Sequence, residues 1–176
     1  MKIAGIDLSL TSPGLTVCDG EKFSIENLRF YFLTSKKSFH RQFPFNIEPT
    51  LMKKWENNEE RYGMISDWVL AHASFSEVIA IEGYAFGTRG RALFNIAENG
   101  GILKYRLRNL GISLLLPSPA EIKKFATGNG TAKKVAMIEQ FREETRIDLM
   151  EVFKGAMNPA SDIADSYFIA KYASEK

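Results

Sequence analysis

Apolar residues recur along the chain in two spacings, which together predict its secondary structure. Short, nearly continuous apolar runs bounded by turn residues predict buried strands over 2–8, 14–20, 22–33, 77–84 and 112–119. Apolar positions at helical spacing predict helices over 51–74, 90–109, 118–126, 131–144 and 159–173. Residues 34–50 mix charged, aromatic and proline residues, and this mixture predicts a long loop.

The order of these elements predicts the fold class. Three strands joined by short turns are followed by helix, strand, helix, strand and then helices only. This order favours an α/β protein with a central sheet, helices on its faces and an antiparallel meander at its start. With 176 residues, the chain is expected to form a single domain over 1–176.

The composition indicates in which cellular compartment the protein is expected. The chain has one cysteine, Cys18, which excludes an internal disulfide and is typical of a reducing compartment. No apolar run approaches the roughly 20 residues of a membrane helix, and no basic segment leads into an apolar signal core. We therefore expect a cytoplasmic protein without a membrane partner.

Charge is distributed unevenly along the chain. Residues 82–134 carry nine lysines and arginines but only three acids, whereas the rest of the chain has a slight excess of acids. Clustered positive charge of this kind favours a polyanion such as nucleic acid. A solvated lysine-rich face is the alternative interpretation of the same pattern.

Four acids interrupt apolar segments. Asp7 and Glu82 come at the ends of apolar runs that read as buried strands, and Asp162 and Asp165 are spaced to share one face of an apolar helix. Burying a carboxylate costs several kcal/mol unless it is paired or binds a metal. Asp162 as a helix cap, and Asp7 or Glu82 as an exposed strand end, are the alternatives. Carboxylate ligands without histidine or cysteine favour Mg²⁺ or Mn²⁺ over zinc.

Four segments together resemble the RuvC-like Holliday junction resolvases of the ribonuclease H-like superfamily. They are GIDLSLTSPG, IAIEGYAFG, GNGTAKK and SDIADSYFIA, and they occur in the family's order over most of the chain. The resemblance implies a five-stranded mixed sheet flanked by helices. In that fold the first and fourth strands are neighbours, and the last helix presents its acids above them.

The resemblance also implies a site and an activity. The metal ligands would be Asp7, Glu82, Asp162 and Asp165, holding two Mg²⁺ ions that Mn²⁺ can replace, with Lys133 as a catalytic basic residue. The implied reaction is hydrolysis of branched DNA, mainly four-way junctions, by paired symmetric nicks that leave 5′-phosphate and 3′-hydroxyl ends. Symmetric nicking implies a homodimer, for which the helix over 90–109 is the expected interface.

Two segments are expected to contact the DNA. In the first, Tyr84 or Phe86 would act as a wedge at the crossover, and Arg89 and Arg91 would contact phosphates. The second segment surrounds the Gly-Asn-Gly loop and contributes Lys123, Lys124, Gly128, Gly130, Thr131 and Lys134. Core packing of Tyr84, and simple solvation of Lys123 and Lys134, are the alternatives.

Other functions are compatible with parts of this pattern. A different ribonuclease H-like nuclease, acting on other branched DNA or on RNA/DNA hybrids, would use the same acids. A DNA-binding module without catalysis would not need all four acids. An actin-like kinase needs a duplicated domain, for which the chain is too short. Residues 34–60 are longer and richer in aromatic and charged residues than in typical cellular resolvases, so substrate range stays open.

Overall fold

The computed structural model describes residues 1–84 and 91–176, which contain six strands and six α-helices. The strands are β1 (Lys2–Asp7), β2 (Gly14–Asp19), β3 (Leu28–Thr34), β4 (Ile47–Leu51), β5 (Val78–Ile81) and β6 (Ser113–Leu115). The helices are α1 (Asn58–Ala73), α2 (Arg91–Asn109), α3 (Pro119–Thr127), α4 (Lys134–Thr145), α5 (Leu149–Val152) and α6 (Met157–Ser174). Short 3₁₀ turns at Ile25–Asn27 and Lys37–Phe39 precede β3 and β4.

The strands form one mixed sheet in the order β4-β3-β2-β1-β5-β6. β2 is antiparallel to β1 and β3, and the pairs β3–β4, β1–β5 and β5–β6 are parallel. This confirms the α/β class, the meander, and the adjacency of the first strand to the strand that ends near Glu82. Because β2 alone runs in the opposite direction, the other five strands end at the same edge of the sheet.

The expected strand number of five is wrong because β4 lies within the segment predicted to be a loop. Its sequence, IEPTL, has no apolar alternation, and Pro49 argues against a central strand. β4 is the edge strand of the sheet, where a proline is tolerated, and it pairs with β3 from Phe30↔Ile47 to Thr34↔Leu51. Ile47 is buried in the core. Pairing with β3, rather than local periodicity, makes this segment a strand.

Helices cover both faces of the sheet. α6 packs on β1 and β2, with α3 and α4 beside it, and its core includes Ile163 and Phe168. α1 and α2 cover the opposite face, where Trp68 and Leu103 are buried. The side chains of β1 alternate between these two layers, as the period of a strand requires.

Helix boundaries differ from the predicted ones mainly at the N-termini. The helix predicted over 51–74 begins only at Asn58, because the Asn57 side chain accepts a hydrogen bond from the Glu60 backbone N–H at 2.8 Å and caps it there. α4 begins at Lys134 rather than at Thr131. At α3 the predicted cap is confirmed, since Ser118 and Glu121 form a reciprocal capping box.

Two expectations from composition can be compared with the structure. Cys18 is a free thiol and is buried in the core. Among residues 1–84 and 91–176, none of the helices has the length and apolar character needed to cross a membrane.

Candidate active site

The carboxyl ends of β1 and β5 bring Asp7 and Glu82 together. The two strands are parallel neighbours, and the register pairs Ile6 with Ile81, the residues just before the two acids. The Glu82 backbone N–H donates to the Ile6 carbonyl oxygen at 3.2 Å, which continues the ladder by one residue. Two acids separated by 75 positions in sequence are thereby held at one point of the sheet edge.

Two glycines let α6 approach this edge closely. A Cβ atom on Gly14 would collide with the backbone of Asp162, and one on Gly5 would collide with the backbone of Ser166 and Ala170. The absence of side chains at both positions places α6 directly against β1 and β2. This close packing carries the acids of α6 to the end of β1.

The pKa values of all four acids are raised. Burial raises the pKa of Asp7 well above its usual value, and the negative charges of Asp165, Asp162 and Glu82 raise it further. Burial, followed by the charges of Glu82 and Asp162, raises the pKa of Asp165 to about 7. Burial also raises the pKa of Glu82 and that of Asp162. Clustered, desolvated carboxylates of this kind are typical of functional sites.

Asp162 differs from the other three acids because hydrogen bonds hold its carboxylate. Its side chain is 2% exposed. The Ser12 hydroxyl donates to Oδ2 at 2.6 Å, and the Asn158 amide lies 2.8 Å from both oxygens. Sequence reasoning missed Ser12 and Asn158 as site residues. The Ser/Thr-rich turn after β1 was a signal for Ser12, but nothing local distinguishes Asn158.

The four acids form a negatively charged cluster, but they do not surround a ready-made metal site. Within the described parts of the chain, no three histidine, cysteine or acidic side chains are arranged to hold a metal ion as they stand. One reason is that the hydrogen bonds to Ser12 and Asn158 occupy the Asp162 carboxylate. Ligation by three of the acids would therefore require side-chain rotation.

Lys134, predicted as a DNA contact, is the lysine whose charge acts on all four acids, whereas Lys133 is predicted as the catalytic basic residue. Lys134 lowers the pKa of each of the four acids, and its Nζ donates to the Ser161 hydroxyl at 3.1 Å. Lys123 lowers the pKa of two of them. Lys133 is the exposed N-cap of α4, and Lys124 is exposed on α3. Successive residues at a helix start point about 100° apart, so Lys134 faces the cluster where its neighbour does not.

The Gly-Asn-Gly loop has a structural explanation of its own. Gly128 ends α3 at a φ of +77°, a left-handed conformation that favours glycine. A Cβ on Gly130 would lie 3.1 Å from the Ala120 carbonyl oxygen. The side chain of Asn129 accepts hydrogen bonds from the backbone and hydroxyl of Thr131. Phosphate binding by this loop stays a prediction.

Only part of the expected wedge segment can be located. Tyr84 is 40% exposed, and its hydroxyl contacts the Ala97 carbonyl oxygen and accepts from Lys104 at 3.0 Å. Its ring therefore packs on α2, with the Lys104 ammonium over the ring at 4.8 Å from the centroid. Phe86 and Arg89 lie outside the described residues, and for Arg91 only the backbone, the first residue of α2, is described.

The chain is similar in sequence to a known protein. No protein-family model matches the chain. A curated relative, the crossover junction endodeoxyribonuclease RuvC of Renibacterium salmoninarum, is 32% identical over 170 residues, which cover 97% of this chain and 77% of the relative.

Solved structures show the same fold. The Thermus thermophilus RuvC structure matches 97% of this chain and 91% of its own, with a TM-score of 0.62 and 24% identity. The structure of T. thermophilus RuvC in complex with a Holliday junction substrate matches 99% of this chain and 94% of its own, with a TM-score of 0.67 and 21% identity. The structure of the yeast mitochondrial Holliday junction resolvase Ydc2 matches 96% of this chain and 75% of its own, with a TM-score of 0.55 and 14% identity.

Proposed function

The chain belongs to the RuvC family of crossover junction endodeoxyribonucleases, and from this membership we propose that it resolves Holliday junctions as a metal-dependent nuclease. It nicks two strands of a four-way DNA junction symmetrically and leaves 5′-phosphate and 3′-hydroxyl ends. The observation that carries the proposal is the meeting of the acids at one edge of the sheet: β1 and β5 end side by side at Asp7 and Glu82, and α6 packs against β1 and β2 with Asp162 beside Gly14. The single buried free thiol agrees with a cytoplasmic setting.

The acids fit a divalent cation by their chemistry. All their donor atoms are carboxylate oxygens, which Mg²⁺ and Mn²⁺ prefer, and a cation would relieve the burial and repulsion that raise the pKa of Asp7 and Asp165. We assign two Mg²⁺ ions, replaceable by Mn²⁺, to Asp7, Glu82 and Asp165, with Asp162 in an outer position. Bound ions of this kind supply an activated water and stabilise the leaving 3′ oxygen.

The residues around the acids are suited to binding a phosphodiester. Ser12 and Asn158 hold the Asp162 carboxylate in one orientation. Lys134 and Lys123 place positive charge beside the acids. We assign to Lys134 the role predicted for Lys133, namely holding a phosphate oxygen and countering charge on the pentacovalent phosphorane.

Junction binding is assigned to the basic segment 82–134. Tyr84, which is 40% exposed, is assigned to stack on a base at the crossover, and Phe86 is the second wedge candidate. Arg89, Arg91 and Lys124 are assigned to phosphates of the arms.

Paired nicks require two active sites related by a two-fold axis, so we propose that the protein acts as a homodimer. The exposed side of α2 carries Phe94 and Tyr105, which are 67% and 69% exposed. Large apolar groups on one exposed helix face are characteristic of an interface. α2 is therefore the proposed contact between subunits.

The proposal is tested with a synthetic immobile four-way junction, labelled on each strand in turn, with and without Mg²⁺. We expect symmetric nicks that depend on Mg²⁺ and that DNA ligase can reseal. Asp7→Asn should abolish cleavage, since it removes the central ligand, while junction binding in gel-shift assays persists. Cutting by Asp7→Asn at the wild-type rate would refute the assignment. Preferential cutting of RNA/DNA hybrids in a parallel panel would favour the alternative nuclease function.

A further inference from the structure

The strands that carry Asp7 and Glu82 share their edge of the sheet with β3 and β4. Because β3 and β4 run in the same direction as β1, the segments that follow them emerge at the edge where the acids lie. These two segments belong to the region 34–60, to which the proposed function assigns no role. Their position next to the acids is a consequence of the topology.

Both segments carry paired lysines. The four residues are exposed, and they are Lys36, Lys37, Lys53 and Lys54. Hydrogen bonds tie the segments together, since the Met52 backbone N–H donates to the Thr34 carbonyl oxygen at 2.8 Å. The one acid between residues 34 and 55 is Glu48, which lies in β4 and pairs with Arg29 at 3.6 Å. The lysines therefore form a positive surface at this end of the two strands.

A cavity links this surface to the acid cluster. It has a volume of about 330 Å³, and its lining includes Ser12 and Asn158 on one side and Thr34, Ser35 and Lys36 on the other. Ser12 and Asn158 are the two residues that hydrogen-bond Asp162. Polar groups of the lining thus run from the hydrogen-bond partners of Asp162 to Lys36.

A second connection joins the other lysine-bearing segment to the loop after β1. The Arg61 guanidinium donates to the Leu10 carbonyl oxygen in the loop after β1, and it stacks 4.7 Å from the centre of the Trp55 ring. Trp55 directly follows the second lysine pair and is 36% exposed. Arg61 therefore anchors the lysine-bearing segment to the loop that carries Ser12.

We propose that the four lysines form a second DNA-contact surface, which binds the phosphodiester backbone of a junction arm beside the cleavage site. Hydroxyl, amide and ammonium donors in a row are suited to successive phosphates. The surface is continuous with the acids, so a strand whose phosphate lies at the acids can continue across it. This inference rests on the proposed function, and it gives the region 34–60 a role in holding substrate.

Two double variants test the surface, each removing one lysine pair. They are Lys36→Gln with Lys37→Gln, and Lys53→Gln with Lys54→Gln. A matched control, Lys2→Gln with Lys22→Gln, removes the same charge from exposed positions at the opposite edge, where β1 begins and β2 turns into β3. Affinity for a four-way junction is measured by fluorescence anisotropy in EDTA at several salt concentrations, so that the junction stays intact.

We expect each test variant to bind the junction about tenfold more weakly at 100 mM salt, with the slope of log affinity against log salt reduced by about two. The control should bind with wild-type affinity and slope. If the test variants bind like the control while wild type binds the junction, the second surface is wrong and the proposed function stands. If wild type does not bind the junction at all, the proposed function fails and the second surface fails with it.

Discussion

Individual side chains at the acid cluster are held by different forces. Asp162 has its charge met by hydrogen bonds from Ser12 and Asn158, whereas the pKa of Asp7 is raised by burial and by three neighbouring charges. A buried carboxylate that lacks donors destabilises the fold until a cation binds. Without a metal ion, repulsion and desolvation of the acids at this edge of the sheet therefore lower the free energy of unfolding.

This destabilisation predicts how metal-free stability depends on pH. The pKa of Asp165 is about 7 in the folded chain and about 4 when unfolded, so the folded state holds more protons between these values. Raising the pH through this window therefore favours unfolding. From pH 5 to 7.5 in EDTA, wild type should lose about 1–3 kcal/mol of unfolding free energy relative to Asp165→Asn, measured by urea denaturation.

Comparing wild type with Asp165→Asn cancels the effect on stability of other groups that titrate in this pH range. Burial lowers the pKa of His72, which makes stability rise with pH near 6, but this occurs in both proteins. Equal pH dependence of the two proteins would contradict the convergence of the acids. Adding Mg²⁺ should weaken the pH dependence of wild type, because a bound cation favours the ionised carboxylates.

At the scale of elements, the site depends on how closely α6 approaches the sheet. Gly5 lies in the middle of β1, and a side chain there would meet the backbone of α6 rather than a flexible group. Backbone atoms cannot yield as side chains can. The distance between Asp7 of β1 and the acids of α6 is therefore set by Gly5, two positions before Asp7.

Gly5→Ala should consequently destabilise the protein by more than about 3 kcal/mol and reduce junction cleavage, because α6 must move away from β1. The measurements are urea unfolding and the nicking assay. Gly63→Ala is the matched control, since Gly63 lies within α1 with open space around it. That change should raise stability by about 0.5–1 kcal/mol. Wild-type stability of Gly5→Ala would show that the close packing is wrong.

At the scale of the whole molecule, α2 carries the two most exposed aromatic groups of the described residues. Phe94 and Tyr105 are 67% and 69% exposed and lie on one face of the helix. This face is the proposed subunit contact.

Phe94→Glu should convert the proposed dimer to a monomer, because it places a charge in an apolar contact. Sedimentation velocity at micromolar concentration measures the change, and paired nicking of the junction should fall with it. Phe75→Glu is the control, since Phe75 is exposed outside α2, between α1 and β5. A wild-type protein that is monomeric both free and on the junction would contradict the dimer.

The sequence predicted most elements that have a strong local pattern. The meander, the helix over 90–109, the Ser118 capping box and the positions of the four acids at element ends could all be read within windows of a few residues. β4 was missed because its strand character comes from pairing with β3, which lies outside any such window. The choice of Lys134 over Lys133 depended on the direction in which α4 leaves its loop.

The sequence by itself determined which residues could form the site, because a carboxylate in an apolar run departs from a pattern that is visible locally. Only the tertiary structure decided how they are held: Gly5 and Gly14 admit α6, and Ser12 meets Asp162 across 150 positions. These contacts join residues that are far apart in sequence, and their energies depend on distances that exist only once the sheet and α6 have packed together.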